Sequence, residues 1–192
     1  MTVLLVVAPF CAFALLMLLT SATASLFAAC GVCLAVIAFD AWRGRSLKIL
    51  GAGSAVVFAA LGTYLAFVDP SLSGSAVRFM VDAGTFAIAL GSILLRYPFT
   101  LQYGLGMVPA ETAAKPEFTH ANYVITGAWT IAMLVMMLAN GAIWIVPGLP
   151  LWLGLLVAFA ARNGALYFTR WYRDYRTPKH GSPPADALRN AR

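Results

Sequence analysis

Uninterrupted apolar runs, separated by short polar breaks, make up most of this chain. About 20 apolar residues are enough to cross the hydrocarbon core of a bilayer as an α-helix. Because lipid offers no hydrogen-bond partner to exposed backbone groups, helices are the structure expected for such runs. The pattern predicts an all-α, polytopic transmembrane helical bundle of about six spans, at residues 3–19, 25–39, 49–68, 76–95, 123–142 and 151–172.

A short polar break at residues 20–23 divides the first apolar stretch in two. One helix through both halves would be about 55 Å long, nearly twice the hydrocarbon thickness, so a tight hairpin of two spans is expected. Ala22-Thr23-Ala24 also resembles a signal-peptide cleavage site. However, no Lys or Arg precedes the apolar run and a second apolar run follows at once, which favours the hairpin.

The longest polar interruption covers residues 96–120 and contains Pro98, Pro109 and Pro116. Each proline removes a backbone donor and disfavours helical geometry in the residue before it, so no helix is expected to run straight through. The aromatic and apolar residues between the prolines suit the membrane interface. We therefore expect an interfacial loop between spans four and five.

Composition indicates that the membrane domain is the whole protein. The chain is 61% hydrophobic and only 10% charged, whereas about a quarter of the residues in a soluble domain are charged. A single transmembrane helical domain is therefore expected over residues 1–177. The Pro-rich, polar residues 178–192 are expected to form a disordered cytoplasmic tail.

The net charge of +6 comes from basic residues that cluster beside the ends of the apolar runs. That placement is a topology signal, and it also attracts anionic lipid. It lacks the basic stripe with interleaved aromatics that is typical of nucleic-acid binding, so no nucleic acid is expected as a partner. With six spans, the basic loops after spans two and four and the basic tail lie on one side, which places both termini in the cytoplasm.

Small residues recur every four positions in spans three and four. They form two stripes along which another helix can approach closely, so these two spans are expected to pack as an antiparallel pair through them. Such stripes are also compatible with a homo-oligomer. The stripes are Gly51, Ala55, Ala59 and Thr63 in span three, and Ala83, Ala87 and Gly91 in span four.

Arg162 is the most informative single residue, because a guanidinium inside a span is costly unless it is paired or hydrated. Asp82 is a candidate partner, although Arg78 is the nearest base to Asp82 along the same helix. Asn140 and Gln102 are able to hydrogen-bond between helices or to a lipid headgroup. These residues form a candidate intramembrane polar site of Arg162, Asp82, Asn140 and Gln102. A structural ion pair or a snorkelling Arg162 is the favoured interpretation, and contact with a substrate or headgroup is the alternative.

The cysteines invite comparison with membrane thiol–quinone enzymes. Cys30-Gly31-Val32-Cys33 has the spacing of a thiol oxidoreductase motif, and Cys11 is expected at a similar depth to Cys30. These thiols lie several residues inside the spans without a nearby base, where cysteine behaves as a small apolar residue. A thiol–quinone oxidoreductase is therefore only a minor alternative, and the role of Cys30 and Cys33 stays open.

Other catalytic and cofactor patterns are weak. His120 and His180 lie outside the spans, so two axial haem ligands inside the bundle are not expected. Glu111, Glu117 and His120 share a loop without the ligand spacing of a metal site. No cofactor, metal or catalytic residue is predicted, and the protein is expected not to be an enzyme.

Several short motifs between residues 39 and 147 resemble the intracellular septation protein A family of bacterial inner-membrane proteins. They include the basic patch after span two and, as the most distinctive piece, the segment YPFTLQY at residues 97–103. The other matching positions are Asp69, Arg96, Gly106, Pro109, Asn122, Trp129 and Ala139-Asn140. The resemblance implies a location in the bacterial inner membrane and a non-enzymatic role in cell envelope integrity and septation, through contacts with other inner-membrane proteins or membrane lipids. The rival hypothesis is a small transporter or lipid carrier with an anion or headgroup site near Arg162.

Overall fold

The computed structural model of the protein describes residues 2–106 and 108–176, and every regular element in those residues is an α-helix. This confirms the predicted all-α class. The expected disordered tail at 178–192 and His180 lie outside the described residues. The helices are α1 (Thr2–Leu19), α2 (Ala22–Trp42), α3 (Ile49–Phe67), α4 (Gly74–Leu94), α5 (Phe99–Leu105), α6 (Ala110–Ala113), α7 (Pro116–Ile145) and α8 (Leu151–Arg176).

Five of these helices, α2, α3, α4, α7 and α8, are long and apolar enough to cross a membrane. The helix α1 is also apolar over its residues 8–19 and packs on α2. Together they agree with a bundle of about six spans. Ser21 and Ser73 set two of the starts, because their hydroxyl groups accept hydrogen bonds from the first-turn amides of α2 and α4.

The predicted interfacial loop is shorter and more helical than expected. Its residues include α5 and α6, and α7 begins at Pro116 rather than at residue 123. Proline is well tolerated in the first turn of a helix, where its missing N–H has no intrahelical acceptor to lose. At 30 residues, α7 is about 45 Å long, which exceeds the hydrocarbon thickness of a bilayer.

The long helices pack in a series in which α1 contacts α2, α2 contacts α3, α3 contacts α4, α4 contacts α7 and α7 contacts α8. One buried cluster contains residues of all four helices α1, α2, α3 and α4 and is centred on Phe58. The centre of the Phe58 ring lies 5.7 Å from that of Phe10 and 5.6 Å from that of Phe13. A second cluster, formed by Leu50, Ala89, Phe99 and Met133, joins α3, α4, α5 and α7. The short helix α5 is therefore part of the bundle core.

The helices α3 and α4 do pack together, but not through the small-residue faces that the sequence suggested. A Cβ added to Gly53 would lie 2.7 Å from the Ile88 side chain, and one added to Gly84 would lie 2.7 Å from Val57. By contrast, a Cβ on Gly51 or Gly91 would meet nothing within 4 Å. The two helices approach closely at Gly53 and Gly84, because a branched side chain of the other helix packs against each of these two glycines.

Candidate binding cavity

The segment at residues 97–103 fixes the short helix α5 against three longer helices. The Phe99 amide donates to Ser92 Oγ of α4 at 3.1 Å. The Thr100 hydroxyl donates to the Asn122 carbonyl of α7 at 2.9 Å and lies 2.7 Å from the Thr126 hydroxyl. These contacts hold α5 across one end of the bundle, where it forms one wall of the cavity described below.

Gln102 acts at a helix terminus rather than in the candidate intramembrane site. Its Oε1 accepts a hydrogen bond of 2.7 Å from the backbone amide of Ile49, the first residue of α3. The first amides of a helix have no intrahelical partner, so this contact satisfies one of them from a different helix. Gln102 therefore connects α5 to α3.

The loop between α2 and α3 is fixed by an ion-pair cluster around Asp40, which is only 6% exposed. Lys48 Nζ lies 2.6 Å from one carboxylate oxygen and Arg45 lies 3.3 Å from the other. Lys48 also lies 5.0 Å from the centre of the Tyr103 ring. Burial, followed by the nearby negative charge of Asp40, raises the pKa of Tyr103 above its ordinary value, so its phenol stays neutral.

A cavity of about 910 Å³ lies between α4, α5, α7 and α8. It is at the upper end of the range of about 300–1,000 Å³ typical of small-molecule sites. Most of its wall is apolar, and polar groups lie at two levels. The apolar wall includes Phe99, Phe118, Ile125, Met133, Met136 and Leu166.

The first polar level, here called the basic mouth, consists of the three bases Lys115, Arg173 and Arg176 and one acidic side chain, Glu117. Lys115 and Arg173 are exposed, so the cavity reaches the protein surface there. Arg176 donates to the Glu117 carbonyl at 3.5 Å, which joins the end of α8 to the start of α7. The mouth therefore carries a concentration of positive charge that attracts anions.

The second polar level, here called the cavity floor, is formed by Asp82 of α4 and Arg162 of α8. Arg162 lies about 20 Å along α8 from the end of the basic mouth at Arg176. Asp82 is 8% exposed, and one of its carboxylate oxygens accepts a hydrogen bond of 2.6 Å from the buried Asn140 amide of α7. Two of the sequence-predicted site residues, Asp82 and Asn140, are thus in direct contact.

Arg162 is partly buried and faces the same cavity as Asp82. Within residues 2–106 and 108–176 it forms no hydrogen bond or close salt bridge, although its charge acts on Asp82. The sequence favoured a structural ion pair or a snorkelling Arg162, and the first of these is not formed as a close contact among the described residues. A guanidinium has five N–H donors and a permanent charge. Its donors are therefore available to an anionic ligand in the cavity.

Beyond the floor, the end of the bundle at the α7–α8 hairpin is tightly packed. A Cβ on Gly154 of α8 would lie 2.7 Å from Ile143 and 2.8 Å from Asn140 Oδ1. A Cβ on Gly141 of α7 would lie 3.1 Å from Phe79, whose ring is 5.6 Å from Trp144. The cavity therefore reaches the surface at the basic mouth, and the α7–α8 hairpin beyond the floor is tightly packed.

The cysteines occupy packing positions. Cys33 is 2% exposed in the core, Cys30 Sγ lies 3.6 Å from the Ala55 carbonyl, and Cys11 is exposed on α1. All three are free thiols. Nor does any group of three or more His, Cys, Asp or Glu side chains among the described residues have an arrangement that would hold a metal ion.

Several residues of the cavity were missed by the sequence analysis. Lys115 fell in the predicted interfacial loop because the start of α7 was placed too late, whereas Arg173 and Arg176 lie beyond the predicted end of span six at residue 172. Pro116 was the available signal, since proline often begins a helix. Trp129 and Thr169 also line the cavity, and the indole N–H of Trp129 donates to the Thr169 hydroxyl at 3.1 Å.

The fold and the cavity define a multi-pass helical membrane protein with an internal cavity of mixed polarity. The chain matches no protein-family model, and neither a curated protein nor a solved structure matches it. Function is therefore argued from the cavity and its charges.

Proposed function

We propose that this protein is a small membrane transporter or lipid carrier that binds the headgroup of an anionic or amphipathic molecule at Arg162. The observation that carries the proposal is a large cavity with a partly buried guanidinium at its floor that forms no hydrogen bond or close salt bridge within the described residues. Ionisable residues inside transmembrane helices are costly, and they commonly mark substrate pathways.

The distribution of lining groups matches an amphipathic ligand. The basic mouth attracts a negatively charged group, and the apolar wall accommodates a hydrocarbon portion. At the far end of the cavity, Arg162 is able to donate hydrogen bonds to the oxygens of an anionic group. Arginine is well suited to this contact because its planar guanidinium binds phosphate or carboxylate oxygens through two parallel hydrogen bonds.

Lipid binding to the purified full-length protein tests the binding step. Native mass spectrometry would compare adducts of phosphatidylglycerol with wild type, Arg162→Gln and Arg170→Gln. Arg170 is an exposed base of the same helix that does not line the cavity. Loss of charge-assisted hydrogen bonds should weaken binding about tenfold in Arg162→Gln and leave Arg170→Gln close to wild type. Equal binding by all three proteins would refute the headgroup site.

Reconstitution tests the transport step. In liposomes with fluorescent lipid in both leaflets, a carrier speeds loss of the inner-leaflet signal after a membrane-impermeant quencher is added outside. Wild type should accelerate this loss over protein-free vesicles, and Arg162→Gln should not. If wild type binds lipid without accelerating exchange, the protein is a lipid-binding protein rather than a carrier.

The resemblance to the septation protein A family supports a second proposal, a non-enzymatic role in the envelope of the bacterial inner membrane through contacts with other membrane proteins. It is favoured by the structural use of one of the resembling residues, since the Gln102 side chain connects α5 to α3. Complementation of a deletion strain by Arg162→Leu distinguishes the two proposals. Full rescue of envelope integrity and of contact with the native partners supports the scaffold, whereas loss of rescue by a folded variant supports the headgroup site.

A further inference from the structure

The cavity floor presents two oppositely charged side chains that attract each other without a close salt bridge. Asp82 and Arg162 both line the cavity, yet they form no ion pair. Arg78, one turn before Asp82 on α4, also acts on the carboxylate through its charge but forms no salt bridge with it. Because separated charges inside a membrane protein are unfavourable, this arrangement indicates a ligand that supplies a partner to each.

The carboxylate of Asp82 is only partly satisfied. An ionised carboxylate has about four acceptor positions, and the described contacts of Asp82 comprise one hydrogen bond, from Asn140 at 2.6 Å. Asn140 does not line the cavity, so it supports Asp82 from behind and leaves the cavity side of the carboxylate available. A charged donor that enters the cavity would find an oriented acceptor there.

We propose that the ligand is zwitterionic, with an ammonium group that binds Asp82 and a phosphate or carboxylate group that binds Arg162. This inference rests on the proposed headgroup site and specifies its chemistry. A purely anionic ligand would satisfy Arg162 but would bring its negative charge close to Asp82. A ligand with both charges a few bonds apart satisfies both residues and adds no net charge to the membrane interior.

A pair of lipids that differ at the second charge tests the inference on the wild-type protein. Phosphatidylethanolamine and phosphatidylglycerol share the phosphate and the acyl chains, but only the former carries an ammonium. In native mass spectrometry at equal concentrations, wild type should bind phosphatidylethanolamine about tenfold more tightly, which corresponds to one charge-assisted contact. Equal affinity, or a preference for phosphatidylglycerol, would overturn the zwitterion proposal.

Substitutions at the floor separate this inference from the proposed function. Asp82→Asn should lower phosphatidylethanolamine affinity to that of phosphatidylglycerol and leave the latter unchanged or improved. Arg162→Gln should weaken both lipids. If Arg162→Gln weakens both but Asp82→Asn keeps the preference, the zwitterion proposal fails and the headgroup site stands. If Arg162→Gln affects neither lipid, the headgroup site itself fails.

Folding of the variants is checked independently. In Asp82→Asn the side-chain carbonyl retains an acceptor for Asn140, and monodispersity on size-exclusion chromatography would confirm an intact bundle. The wild-type lipid comparison decides the question if that variant is unstable.

The same headgroup chemistry occurs in lipids and in soluble molecules, and a further comparison identifies the source. Glycerophosphoethanolamine has the zwitterionic headgroup without acyl chains. If it displaces phosphatidylethanolamine at similar concentrations, the ligand is a soluble zwitterion. If it fails to do so while the lipid binds, the apolar wall contributes and the ligand is a lipid. Displacement by glycerol phosphate as effective as that by glycerophosphoethanolamine would contradict recognition of the ammonium.

Discussion

The side-chain nitrogen of Asn140 lies 2.6 Å from a carboxylate oxygen of Asp82, and this hydrogen bond joins α7 to α4 inside the bundle. Both residues are more than nine-tenths buried. The contact orients the only carboxylate at the cavity floor among the described residues, and it connects the binding site to the packing of the two helices.

Replacement of Asn140 by Ala should therefore destabilise the protein. A hydrogen bond to a buried charge is lost, and we expect the free energy of unfolding to fall by about 1–2 kcal/mol. Unfolding by sodium dodecyl sulfate in mixed micelles measures the change. Asn163→Ala is the matched control, because that exposed amide donates only to the Phe159 carbonyl of its own helix. Equal stability of the two variants would contradict the role of the Asp82–Asn140 contact.

Gly154→Ala should loosen the α7–α8 hairpin. The added methyl group would lie 2.7 Å from the end of the Ile143 side chain and 2.8 Å from Asn140 Oδ1, so these side chains or the helices that carry them must move. We expect a loss of about 1–3 kcal/mol, again by detergent unfolding. In Gly164→Ala the methyl group meets nothing within 4 Å, and alanine has the higher helix propensity, so that variant should be at least as stable as wild type.

Gln102→Leu should expose the start of α3. Without Gln102 Oε1, the Ile49 amide loses its hydrogen bond of 2.7 Å. The free energy of unfolding should fall by about 1 kcal/mol, which is typical of a lost helix cap. Hydrogen exchange should become faster at the first amides of α3. Gln102→Glu retains an acceptor and adds a negative charge that favours a helix N-terminus, so it should restore protection. Unchanged exchange in Gln102→Leu would show that the cap is dispensable.

The two bases that bind Asp40 should contribute unequally. The Lys48 side chain is 14% exposed and lies 2.6 Å from the carboxylate, whereas that of Arg45 is 44% exposed and lies 3.3 Å away. Solvent weakens exposed ion pairs, so Lys48→Met should lower thermal stability more than Arg45→Met. The opposite order in a thermal unfolding assay would indicate that Arg45 is the principal partner.

Accessibility of single cysteines tests the proposed orientation. In a variant with Cys11, Cys30 and Cys33 replaced by Ala, cysteines introduced at Ser46 and Ser73 should react from opposite sides of the membrane, because α3 separates them. Ser46 should be accessible from the cytoplasm, since its loop is the basic one. Reaction of both positions with an impermeant reagent from the same side would refute the span assignment.

Hydropathy was sufficient to predict the helical class and the approximate spans, because the bilayer requires long apolar helices. Helix ends were less predictable. Pro116 was expected to interrupt a helix and instead begins α7, since proline is disfavoured inside a helix but accepted in its first turn.

The candidate site was only partly predictable for a different reason. Arg162 and Asp82 could be nominated singly, as charges in apolar surroundings. Their common cavity, the contact between Asp82 and Asn140, and the separate position of Gln102 depend on how the helices rotate and pack. Gly53 and Gly84 illustrate the same limit, because periodic small residues do not reveal which face of a helix meets its neighbour.

Asn140 has a neighbour on each side of its amide: the nitrogen holds Asp82, and the oxygen faces the bare backbone of Gly154 where α7 and α8 touch. A ligand that drew the Asp82 carboxylate away would leave the Asn140 amide free to rotate. The close contact of Asn140 with Gly154 between α7 and α8 would then be lost. The wall of the cavity and the contact between α7 and α8 thus share one side chain, that of Asn140.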